Sequence, residues 1–82
     1  MSILFWSTAV AGETGELCNW IKKMERGDKL PFTYWQKEVS KEAADIVIYL
    51  DLLCTKLGIS LEKSIISKFN EVSEELKSPI KI

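Results

Sequence analysis

Residues 33–58, TYWQKEVSKEAADIVIYLDLLCTKLG, decide the fold. Val39, Ala43, Ile46, Leu50, Leu53 and Leu57 recur in alternating steps of four and three, the spacing that lays one apolar stripe along an α-helix. Gly58 follows as a left-handed stop. Thr33 and Gln36 stand three apart, as in a capping box where hydroxyl and amide satisfy opposite orphan N–H groups, so the helix is predicted from Thr33 to Leu57. Its middle is apolar on more than one side: Val47, Ile48 and Leu52 lie off the stripe. A single neighbouring helix cannot cover that surface.

Working outward, the apolar residues from Leu4 to Met24 also recur at helical spacing and stop at Arg26-Gly27, which predicts a helix over roughly 3–26. Pro31 closes the loop between the two. Ser60 opens a third helix with the stripe Leu61, Ile65, Phe69, Val72 and Leu76. Ser78-Pro79 ends it, and 80–82 form a tail. The expectation is an all-α bundle of three main helices, a single domain over 1–82. Three helices of one small chain leave much apolar surface wet, so self-association to a dimer or tetramer is expected to complete the bundle.

The 82 residues carry 11 cationic and 12 acidic side chains, and Arg26 is the one arginine. That balance argues against a nucleic-acid surface. A hydrophobic share of 46% with four glycines and two prolines excludes the disordered and collagen-like classes. Cys18 and Cys54 sit inside apolar runs, the pattern of reduced, buried thiols in a cytoplasmic protein. Met1–Val10 lacks the basic flank of a signal peptide, and the apolar run 43–57 carries Asp45 and Asp51, so no membrane span is expected.

Two acidic pairs stand out. On the first helix Trp6, Ala9, Glu13, Glu16 and Trp20 share one ridge; on the second, Glu38, Glu42, Asp45 and Tyr49 share another. Each pair, Glu13/Glu16 and Glu42/Asp45, places like charges one turn apart, which is unfavourable unless a cation compensates. Four hard oxygen ligands from two helices suit Mg²⁺ or Mn²⁺. Without histidine, the Glu-x-x-His signature of di-iron bundles is excluded. The bland alternative is a pair of solvated helix faces. Gly12 and Gly15 bracket Glu13 in mid-helix at about 1 kcal/mol each relative to alanine, which makes sense where another helix or a ligand comes close.

Gly12-Glu13-Thr14-Gly15-Glu16-Leu17, followed by Glu42-Ala43-Ala44-Asp45-Ile46-Val47-Ile48-Tyr49-Leu50, resembles the ExxE…ExxD signature of MazG-like nucleoside triphosphate pyrophosphohydrolases. Lys68-Phe69-Asn70-Glu71-Val72-Ser73-Glu74 resembles that family's last helix. The likeness covers about residues 6–82. Two positions depart from the pattern, Gly12 and Lys41, where the family often has acids, and the family's helix before ExxE has no counterpart here, as in a short or N-terminally truncated variant.

The resemblance implies an oligomeric, Mg²⁺-dependent hydrolase (Mn²⁺ as alternative) that cleaves a (deoxy)nucleoside triphosphate to monophosphate and pyrophosphate, in nucleotide-pool house-cleaning. Glu13, Glu16, Glu42 and Asp45 would be the metal ligands. The general base would be Glu13, Glu16 or Glu38. Lys68 would contact phosphate, Asn70 sugar or phosphate, and Trp6, Trp20 or Tyr49 the base, while Trp35 reads as packing. The alternatives are a catalytically silent nucleotide- or metal-binding module and a structural association bundle.

Overall fold

The computed structural model describes residues 1–82 and contains three helices: α1 (Ile3–Glu25), α2 (Phe32–Lys56) and α3 (Leu61–Glu75). Ser2 caps α1, its side chain accepting from Phe5 N–H, and Ser60 caps α3 in the same way through Lys63 N–H. The expected Thr33–Gln36 capping box is not formed. α2 starts one residue earlier, at Phe32, because Pro31 (φ −60°, ψ 145°) presets the chain and its carbonyl accepts from Tyr34 at 2.9 Å, leaving Thr33 inside the first turn.

All three helices end in the same way. Asp28, Ile59 and Ser78 N–H reach back to the carbonyls of Lys23, Cys54 and Ser73, with the inner bonds from Gly27, Gly58 and Lys77. These are Schellman closures, and each needs a left-handed residue. Gly27 and Gly58 supply it at φ 88° and 72°; at the third, Lys77 is forced to φ 55°. α3 therefore stops at Glu75, three residues before the Ser78-Pro79 that was expected to end it.

α1 and α2 form an antiparallel hairpin in fixed register. Trp6 meets Tyr49 with ring centroids 5.9 Å apart, and Trp20 meets Trp35 at 6.0 Å. From 6 to 20 up one helix and from 49 to 35 down the other, the partners move in equal steps, and the midpoint of both is the pair Glu13 and Glu42. Tyr34 joins Trp20 and Trp35 edge to face, and Trp35 is the one buried hydrophobic residue of the chain.

α3 touches α2 lightly and makes no contact with α1. The molecule is accordingly a plate, 43 × 39 × 16 Å, with a radius of gyration of 16.3 Å, against about 12 Å for a compact chain of this length. The α3 stripe lies largely open: Ile65, Phe69, Val72 and Leu76 are exposed, as are Val47, Ile48 and Leu52 on the outer side of α2. Cys18, expected to be buried, is exposed, because the α1 side away from α2 has nothing over it; Cys54 is half-buried, and both thiols are free. No helix is long and apolar enough to cross a membrane.

Candidate metal centre

The hairpin register brings carboxylates from both helices together. Glu13 on α1 and Glu42 and Asp45 on α2 each offer an oxygen within 4.8 Å of the others. Glu42 and Asp45 share a face because residues three apart on a helix are neighbours, and Glu13 faces them across the hairpin. All three are half-buried. No lysine or arginine is ion-paired with any of them.

The electrostatic cost is visible at Glu13. Its carboxyl is held above the usual range, first by a hydrogen bond with Glu42, then by burial, then by the charges of Glu42, Asp45 and Glu16. A hydrogen bond between two carboxyls requires one shared proton. When both are ionised neither can donate, and Glu42 Oε2 is then a buried oxygen with no partner. An unpaired buried acceptor beside two further carboxylates fits a hard divalent cation better than it fits a solvated helix face.

Three of the four expected ligands therefore converge. Glu16 does not join them: it is exposed, stands outside the group of converging oxygens, and acts on Glu13 only through its charge. Glu38, one turn before Glu42, is turned to Lys41, whose Nζ lies 3.2 Å from Glu38 Oε1.

The aromatic candidates separate into two layers, each about 10 Å along the helices from the acids. Trp6 and Tyr49 form the first. Trp6 Nε1 is buried without an acceptor, a donor that helical spacing alone does not reveal. Trp20 belongs to the second, wedged against Tyr34 and Trp35 with Lys23 Nζ 4.6 Å over its ring, so it serves hairpin packing. The shared step of seven, 6-13-20 and 35-42-49, was the signal that would have placed Trp35 in this ladder.

Lys68 and Asn70 lie on α3, apart from the acids of the same chain. Lys68 is exposed and pairs with Glu71 at 3.3 Å. The Asn70 amide is engaged: Nδ2 donates to the Ile82 carbonyl at 3.2 Å, and Oδ1 accepts from Ile82 N–H at 3.0 Å. Gly12 and Gly15 have nothing within 4 Å of where a Cβ would stand, so no helix of this chain explains them.

No protein-family model, curated protein or solved structure matches the chain.

Proposed function

We propose that this chain is a magnesium-dependent nucleoside triphosphate pyrophosphohydrolase of the MazG-like kind, working as an oligomer, with Glu13, Glu42 and Asp45 as its cation ligands. The observation that carries the reading is the unpartnered, buried Glu42 Oε2 inside a three-carboxylate cluster drawn from two helices. The ExxE…ExxD spacing adds the substrate class, a polyphosphate whose charge needs the same cation.

Mg²⁺ held by these oxygens would supply charge neutralisation for the phosphates and acidification of the attacking water. The residues around it have separable tasks. Glu16 is exposed, next to Glu13 and free of any lysine, which suits it to take the proton of that water; Glu38, paired with Lys41, suits the role less. Trp6 and Tyr49 offer a ring surface about 10 Å from the acids, and the free Trp6 N–H offers one donor to an acceptor on the base or sugar.

The test is a pyrophosphate-release screen of common and modified (d)NTPs with Mg²⁺, on the wild type and Glu42→Gln. Release by the wild type, abolished in Glu42→Gln at unchanged helicity, is the expected result. Nucleotide binding without release would identify a silent binding module, and neither binding nor release a structural bundle.

A further inference from the structure

Residues 77–82 fold back along α3, and the longest-reaching side-chain contacts of the chain hold them there. Asn70 clasps Ile82 on both sides of its Cα: Nδ2 donates to the Ile82 carbonyl at 3.2 Å, and Oδ1 accepts from Ile82 N–H at 3.0 Å. Lys81 Nζ donates to the Asn70 carbonyl at 3.3 Å and lies 3.1 Å from Glu74 Oε1. Every other side-chain hydrogen bond of the chain joins residues four or fewer apart.

The turn into this tail is strained. Lys77 stands at φ 55°, the one non-glycine residue in the left-handed region, where its Cβ crowds the carbonyl that follows. The equivalent places after α1 and α2 are taken by Gly27 and Gly58. Asn70 and Lys81 can meet the tail only if the chain reverses at Lys77, so their contacts offset the strain there. α3 has little else to order this end, since it touches α2 lightly and α1 not at all.

We propose that residues 77–82 are a latch on α3, with Asn70 as its catch and Lys77 as its hinge, so that loss of the catch releases the tail and loosens the end of the helix together. Closed, the latch sets Ile80 beside Phe69, Val72 and Leu76 as a wall of the apolar stripe. Asn70, Ser73 and Glu74 share the side it lies along, and Ser73 there is the one buried polar residue of the chain, 6% exposed. Open, the latch uncovers both. While it is closed the Asn70 amide is engaged by Ile82, so a ligand that uses that amide has to open the latch first. The device stands apart from the carboxylate layer and does not depend on the reaction proposed above.

Amide hydrogen exchange of the full chain, read residue by residue by nuclear magnetic resonance, tests this. In the wild type, Ile82 N–H and Ser78 N–H, which bonds the Ser73 carbonyl at 2.8 Å, should exchange about tenfold or more slowly than in a free peptide. Asn70→Ala should abolish the protection of Ile82 and, by untying the hinge, raise exchange at Ser78 about threefold or more. Adding Lys77→Gly to Asn70→Ala should restore Ser78 but not Ile82, because it removes the strain without replacing the catch. Lys81→Met, at an exposed position, should speed exchange at Ile82 about threefold and keeps the test decisive even where Asn70→Ala fails to fold. Free-peptide exchange of Ile82 in the wild type would overturn the proposal. So would an Ile82 indifferent to Lys81→Met, or an Asn70→Ala protein that frees Ile82 and leaves Ser78 as protected as before.

Discussion

At the scale of single residues, the chemistry rests on three carboxylates that repel one another. Raising the pKa of Glu13 means that the fold binds its proton more tightly than the unfolded chain does. The stability it lends is full below its ordinary value of 4.5 and is lost as pH rises through the higher folded value. In chelator, the melting temperature should therefore fall from acidic to neutral pH, and Glu13→Gln should flatten that fall and melt higher than the wild type at neutral pH. Thermal melts across pH check this; a wild type that gains stability over the same range would contradict it. Glu13, Glu42 and Asp45 were readable in the sequence because helical spacing fixes which acids share a face. The exclusion of Glu16 was not, since it depends on how α2 is rotated against α1.

At the scale of the elements, a step of seven residues stacks an aromatic layer, an acidic layer and another aromatic layer along the hairpin. The two aromatic layers should respond differently to mutation. Tyr49→Ala should raise KM about 5- to 100-fold with kcat less affected, the signature of lost stacking. Trp20→Ala, which opens the cluster around Trp35, should lower the melting temperature; a KM effect confined to Trp20 would reverse the assignment. The helix ends carry a second prediction. Lys77 holds the left-handed cap at φ 55°, where glycine has no Cβ to strain, so Lys77→Gly should stabilise the protein by about 1 kcal/mol in chemical denaturation. Gly12→Ala, with open space around its site, should gain a similar amount in the free protein. Helix extents and the stops at Gly27 and Gly58 were legible in the sequence; the α2 start was not, because Pro31 overrides the Thr33–Gln36 pattern, and neither was the early α3 stop, because a lysine took the place a glycine usually marks.

At the scale of the whole molecule, the open architecture leaves the α3 stripe uncovered, while the three carboxylates stay half-buried between α1 and α2. The excess apolar residues of α2 foretold that one chain could not bury them. How α3 swings away from α1 was hidden, since its stripe Leu61-Ile65-Phe69-Val72-Leu76 reads the same whether it faces its own chain or another.

The claim on which the function depends is that Glu13, Glu42 and Asp45 hold a divalent cation. Electron paramagnetic resonance of free Mn²⁺ during titration measures this without reference to substrate. The expected result is saturable Mn²⁺ uptake by the wild type, displaced by Mg²⁺ and lost in Glu42→Gln while circular dichroism stays helical. Equal Mn²⁺ uptake by the wild type and Glu42→Gln, or none by either, would contradict it.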